Sequence, residues 1–154
     1  MKTLALFSML VLAQLSFAQK ATLTWHTDIN EAVAYAQKSR LPMMLFFTGS
    51  DWCGWCHKLQ AAVFNTPEFE KWAKENVVLV ELDFPRAKEQ TEALKQQNRS
   101  LQQQFGVRGY PTCWFVTPVK TSNGNIDLKP LGSKGYGPDS KIWITEAQTL
   151  LNAN

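Results

Sequence analysis

Residues 42–57 read PMMLFFTGSDWCGWCH. The run from Pro42 to Phe47 is continuously apolar, as expected of a strand covered on both faces. Directly behind it stands a C-x-x-C pair, Cys53 and Cys56, followed by residues that place Cys56, Leu59 and Val63 on one face of a helix running from Cys53 to about Phe64. A cysteine at a helix start meets unsatisfied amide donors and the positive end of the helix dipole, so Cys53 is expected to ionise below the free thiol value of about 8.5 and to act as nucleophile. Cys56, on the packed face, is the expected resolving thiol, in reach of a mixed disulfide held on Cys53. Gly54 permits the tight turn between the sulfurs, and Trp52 and Trp55 offer apolar walls to an extended or unfolded polypeptide. The competing readings are a structural disulfide and half of a metal site. No second C-x-x-C or H-x-x-x-H completes a tetrahedral set, so no metal is expected.

Working outward, the pattern alternates strands and helices. Residues 21–27 are β-prone, and Asp28 stands three residues before Glu31 in a capping-box arrangement. Ile29, Ala32, Val33 and Ala36 then form one apolar stripe of a helix ending near Arg40. Val77 to Val80 is a second buried strand, and Thr66-Pro67 supplies the N-cap and first position of the helix before it. Residues 86–104 read as a solvated helix with Ala87, Leu94, Leu101 and Phe105 on a narrow packed edge, closed at Gly106. Thr112 to Thr117 and Ile126 to Leu131 flank a turn at residues 122–125, and Ser140 to Leu151 closes the chain as a helix. Two buried central strands require helices on both sides of the sheet. No internal repeat or linker divides the chain.

The 154 residues are 45% apolar and 19% charged, the composition of one ordinary domain. The formal charge of +3 is too small and too dispersed for a nucleic-acid surface. Three cysteines are too few for a disulfide-stapled scaffold. At the N-terminus, Lys2, the apolar run Leu4 to Leu15 and Ser16-Phe17-Ala18 have the parts of a secretory signal peptide, with cleavage expected after Ala18 and a single domain over 19–154. The run is too short for a bilayer core, which needs about 20 residues, and no cysteine follows it for lipid attachment. A periplasmic or secreted protein with no stable membrane insertion after cleavage is expected, in a space where thiols meet disulfides.

Gly109-Tyr110-Pro111-Thr112 places an X-Pro step at the entry of a strand, where a missing amide hydrogen is tolerated. Together, the order of elements, W-C-x-x-C at a helix start and G-Y-P-T before a strand resemble the thioredoxin superfamily over about residues 20–152. The loop Gly49 to Cys56 (GSDWCGWC) is closest to that of exported thioredoxin-like proteins. The resemblance implies an α/β thioredoxin-like fold with a central mixed five-stranded sheet flanked by helices on both faces. It further implies Pro111 in cis beside the cysteines, and thiol-disulfide exchange with no cofactor beyond the cysteines. Residue by residue, Cys53 matches the nucleophile, Cys56 the resolving cysteine, Pro111 the cis-proline and Trp52 the tryptophan before the motif. Trp52, Trp55 and Tyr110 are the expected substrate-binding residues.

Some residues depart from that pattern. Thioredoxins carry a buried Asp in the strand before the motif, and the matching positions here are Phe46 and Phe47. Another base, or water, must then move the proton; Glu81 and Asp83, on one face of the next central strand, are candidates, with a solvent-facing position at the strand end as the alternative. The motif interior is Gly-Trp instead of Gly-Pro, which leaves the redox potential open. His57 makes C-x-x-C-H, also a c-type haem attachment signature, but attachment needs a haem-enclosing helical fold, and here the motif follows a buried strand. His57 is instead expected in the first helical turn, where a protonated ring would lower a thiol pKa further, with a plain surface histidine as the equal alternative. The segment Cys53 to Leu59 also resembles periplasmic disulfide isomerases. Cys113, two residues after Pro111, reads as a small core residue, with a third redox thiol as the alternative. The reading is therefore an exported thiol-disulfide oxidoreductase of the protein-disulfide reductase type. Its expected partners are protein or peptide thiols and disulfides, and a membrane electron donor that re-reduces it. An oxidase or isomerase, and a peptide-binding module with a structural disulfide, are the alternatives.

Overall fold

The computed structural model describes residues 23–153. The signal segment expected over residues 1–18 lies outside the described residues. Five strands form one mixed sheet in the order β1-β3-β2-β4-β5: β1 (Trp25–His26), β2 (Met43–Thr48), β3 (Val78–Asp83), β4 (Thr112–Lys120) and β5 (Ile126–Lys134). β3 runs parallel to both β1 and β2, while β4 is antiparallel to β2 and to β5. The five helices are α1 (Ile29–Ser39), α2 (Gly54–Leu59), α3 (Pro67–Asn76), α4 (Glu92–Gln104) and α5 (Ser140–Asn152). This is the thioredoxin-like fold that the family resemblance implied.

Alternation along β2 divides the core. Met43, Leu45 and Phe47 face α1 and α4, packing with Ala32, Ala36, Leu101 and Phe105. Met44 and Phe46 face the other way, onto Leu59, Val63, Phe64, Phe69 and Trp143 from α2, α3, α5 and the turn after α2. Trp143 is the centre of this second half. Its ring meets Phe64, Phe69 and Phe115, and its indole N–H donates to the Gly135 carbonyl at 3.0 Å. Truncation of such a residue typically costs about 3–5 kcal/mol.

Each helix is started by a local device. Asp28 accepts from the Asn30 and Glu31 amides, and Arg40 stops α1 in the left-handed region at φ 58°. Thr66 caps α3 ahead of Pro67, and Asp139 caps α5. The helix expected from Cys53 to Phe64 is in two parts: α2 ends at Leu59 and continues as a π-helical turn over Gln60–Phe64, closed by Asn65 N–H donating to the Gln60 carbonyl at 2.8 Å.

Three further expectations are corrected. The helix read over 86–104 begins only at Glu92, capped by Thr91, because the amides of Arg86, Ala87 and Lys88 bond to Asp51 and not into a helix. Within the β-prone run 21–27, the described residues 23–27 hold a strand of two residues, which ends ahead of the α1 cap at Asp28. The final hairpin is longer than expected and carries an irregularity at Phe115/Val116. Gly132 lies there at φ +150°, and a Cβ on it would meet Leu150 of α5 at 2.7 Å, so the close approach of α5 to β5 requires glycine.

Candidate active site

The motif sits where β2 gives way to α2. Gly49 turns the chain: the Trp52 and Cys53 amides donate back to its carbonyl at 3.2 and 2.8 Å, and a Cβ here would lie 2.3 Å from the Trp52 indole. Cys53 itself is the N-cap of α2. Its Sγ accepts from the Cys56 amide at 3.2 Å, which is the geometry that solvates a thiolate at a helix start. Cys53 and Cys56 form a disulfide with Cα atoms 5.2 Å apart. Cys53 is 5% exposed and Cys56 wholly buried, so an incoming group meets the Cys53 side of the pair first. Gly54 has open space where a Cβ would be.

The two tryptophans occupy different settings. Trp52 is held on every side: its indole N–H donates to the Phe84 carbonyl at 2.8 Å, its ring meets Tyr110 edge-on at 5.7 Å, and the Arg86 guanidinium lies 4.1 Å from its centroid. Trp55 stands free at 56% exposure, with Lys58 Nζ 4.2 Å above it. Its other neighbour is Tyr136, 40% exposed, with ring centroids 4.9 Å apart. Tyr136 belongs to the loop between β5 and α5, beside Gly135, whose Cβ position lies 3.6 Å from the Pro111 carbonyl. Sequence reading passed over it. The available signal was an aromatic residue between two glycines ahead of a proline, Gly135-Tyr136-Gly137-Pro138.

Pro111 is buried and the Tyr110–Pro111 peptide is cis. The Tyr110 hydroxyl accepts from Gln102 at 2.7 Å, and its ring packs against both halves of the core. His57 Nε2 lies 2.8 Å from the Ser50 carbonyl, tying the first turn of α2 to the loop.

Beneath the motif, Phe46 and Phe47 fill the thioredoxin Asp positions with carbon. Phe46 packs on Trp25 and Phe64, and Phe47 on Phe84 and Phe105. Glu81 and Asp83 share the face of β3 that carries Leu79 into the same cluster as both cysteines. Asp83 is committed, accepting from the Ser50 amide at 2.7 Å and the Ser50 hydroxyl at 2.5 Å. Glu81 is half-buried opposite Phe46, and burial, with the Asp83 charge adding to it, raises its carboxyl above the usual range against the opposing pull of Lys88. Thr48, diagonal to Glu81 on the neighbouring strand, buries a hydroxyl that has no hydrogen-bond partner. Cys113 is wholly buried against Phe46, and desolvation pushes its thiol far up, which disfavours the thiolate. Among the described residues, no cluster of three or more His, Cys, Asp or Glu side chains is placed to hold a metal.

A thioredoxin fold with a helix-capping cysteine joined to a buried partner defines a thiol-disulfide oxidoreductase, and the thioredoxin-like family model matches residues 24–118. The chain belongs to that family. It is 34% identical to the disulfide bond reductase DsbH of Chlamydia pneumoniae over 116 residues, covering 75% of this chain and 69% of that protein. The solved structure of a DsbH oxidoreductase superposes with a TM-score of 0.74 at 32% identity, over 87% of this chain and 88% of the other. The thioredoxin-related protein DsbJ of the same organism is 34% identical over 135 residues, and there the match covers 84% of this chain but only 37% of the longer relative.

Proposed function

We propose that this chain is an exported protein-disulfide reductase. The observation that carries the reading is the Cys53 sulfur capping α2 above a fully buried Cys56. In the reduced protein the Cys53 thiolate, held by the Cys56 amide, attacks one sulfur of a substrate disulfide. A bond forms between Cys53 and that sulfur, and the other substrate sulfur leaves as a thiolate that takes a proton from solvent. Cys56 then gives up its proton and attacks Cys53 Sγ, closing the disulfide of the oxidised protein and releasing the second substrate thiol. Two electrons pass from the dithiol to the substrate. Glu81 is the base assigned to the Cys56 proton, because Asp83 is engaged with Ser50 and Phe46 and Phe47 carry no titratable group. Pro111, Tyr110, Trp55 and Tyr136 border the place where the substrate strand would lie.

The name of the 34%-identical relative, a disulfide bond reductase, supports the direction. An exported reductase needs its dithiol restored, and a membrane-bound dithiol donor is the partner class this chemistry requires. Export itself rests on the signal-like residues 1–18.

The test is the reduction potential of the Cys53/Cys56 pair against a dithiothreitol series, with thiol trapping. The expected value is strongly reducing, about −270 mV as for thioredoxin, and a value of about −120 to −180 mV would reassign the protein as an oxidase or isomerase. Cys53→Ser is expected to abolish reduction of a protein disulfide, whereas Cys56→Ser is expected to accumulate a mixed disulfide on Cys53.

A further inference from the structure

The three residues ahead of Cys53 all bond to the end of β3 and the chain that follows it. Ser50 donates its amide and its hydroxyl to the Asp83 carboxylate at 2.7 and 2.5 Å. Asp51 accepts the amides of Arg86, Ala87 and Lys88, and the Trp52 indole N–H donates to the Phe84 carbonyl at 2.8 Å. Ser50 also reaches forward across the motif. Its carbonyl lies 2.8 Å from His57 Nε2, and since a carbonyl only accepts, that nitrogen carries the hydrogen. Lys88 Nζ, 3.2 Å from Ser50 Oγ, completes the surroundings of the hydroxyl. Residues 50–57 are thereby closed into a ring with both cysteines within it, fastened to β3 at Asp83. The closure bears on Cys53 more than on Cys56. Cys56 is fixed by the helix it belongs to, whereas Cys53 is an N-cap with extended backbone, φ −85° and ψ 94°. The entering chain, and not helical geometry, therefore decides where the Cys53 sulfur stands.

We propose that Ser50 and His57 are positioning residues of the exchange reaction: the ring they close holds Cys53 within reach of Cys56 and so sets how readily the two join. The inference rests on the reductase reading above, with Cys53 as nucleophile and Cys56 as resolving thiol. In the resolving step Cys56, its proton passed to a base or to water, forms a bond to Cys53 Sγ. The bond from Cys53 to the substrate breaks, and the substrate sulfur leaves with the electron pair and takes up a proton. Both the rate and the equilibrium of such an intramolecular step follow the effective concentration of one group at the other, which a held geometry raises. A looser ring therefore slows resolution and favours the open dithiol, making the protein a weaker reductant. The first attack does not share this dependence, because the Cys56 amide that steadies the Cys53 sulfur belongs to the first turn of α2 and needs no bond from Ser50.

The experiment compares the unaltered protein with Ser50→Ala, Ser50→Thr, His57→Leu and His57→Gln. Equilibration against dithiothreitol with thiol trapping gives the equilibrium constant of the pair, and stopped-flow quench separates the first attack on a protein disulfide from resolution. Ser50→Ala loses the hydroxyl bond to Asp83, and His57→Leu loses the closing donor. Each is expected to shift the constant about fivefold to tenfold toward the dithiol, tenfold being about 30 mV for two electrons. Each is also expected to slow resolution by a similar factor, with the first attack changed by less than about twofold. Ser50→Thr keeps a hydroxyl and His57→Gln an N–H donor, so both should stay near the unaltered protein. Ser50→Ala combined with His57→Leu should shift little beyond the larger single change, since both open one ring. An unchanged constant and resolution rate in His57→Leu would overturn the proposal, whatever happens to the melting temperature, and so would equal slowing of both steps. His57 is exposed, so this variant decides the matter even where Ser50→Ala does not fold. An oxidising potential for the unaltered protein would instead overturn the reductase reading and leave the comparison between variants in force.

Discussion

Glu81 and Asp83 stand two residues apart on one face of β3 and live in different surroundings. Asp83 spends its carboxylate on Ser50, holding the loop before the motif, while Glu81 is half-buried with its carboxyl raised by desolvation and by Asp83. The sign of the consequence follows from linkage. A raised carboxyl binds its proton more tightly in the folded chain, so stability falls as pH rises from the ordinary carboxylate range through the folded value. Glu81→Gln is therefore expected to raise the midpoint of thermal unfolding at pH 7, with the two curves converging below about pH 4, where both states are protonated. The same variant is expected to slow release of the mixed disulfide by about tenfold at pH 7, modest beside the usual worth of acid–base catalysis because water can substitute. Stopped-flow quench of the intermediate separates that effect from the first attack, which should not change. The sequence exposed the two acids as a pair but could not divide them, since the division depends on a hydroxyl thirty-three residues away.

The segment between β3 and α4 is set by a residue outside it. Asp51 takes the amides of Arg86, Ala87 and Lys88, and those bonds, the one from Arg86 foremost, hold its carboxyl below the usual range. A run rich in Gln, Lys and Arg has high intrinsic helix preference, so residues 86–91 read as helix from the sequence. They are not helical, because a carboxylate in the motif loop satisfies the donors that a first helical turn leaves open. Asp51→Ala is expected to speed hydrogen exchange at the 86–88 amides by about tenfold or more, with α4 itself unaffected beyond its Thr91 cap. In the unaltered protein the same protection should persist on acidification until pH falls below the ordinary carboxylate range, since a depressed carboxyl contributes until its folded value is passed. The elements nearest the motif were legible for the opposite reason. β2, the start of α2 and the entry to β4 are fixed by contiguous apolar runs and by proline and cysteine, whose signals are local. Tyr136 was not legible, because its meaning comes from the Trp55 ring, eighty-one residues earlier in the chain.

The sheet separates two packed layers, and the motif stands at the edge of the layer built by α2, α3 and α5. No helix among the described residues is long and apolar enough to cross a membrane. The chain isolated from an oxidising compartment is expected to begin at Gln19, a result that intact mass or N-terminal sequencing reads directly; retention of Met1 there would overturn cleavage after Ala18, and recovery of the chain from the cytosol alone would overturn export. The burial of Cys113 against Phe46 in the middle of the sheet bears on how such a chain matures. An unfolded chain entering an oxidising space presents three thiols, and any two of them can join. Once β4 is laid against β2, one of the three is sealed and only the pair from 53 and 56 remains within reach of each other. In that setting correct pairing would be a matter of timing, met if the sheet closes ahead of the oxidant.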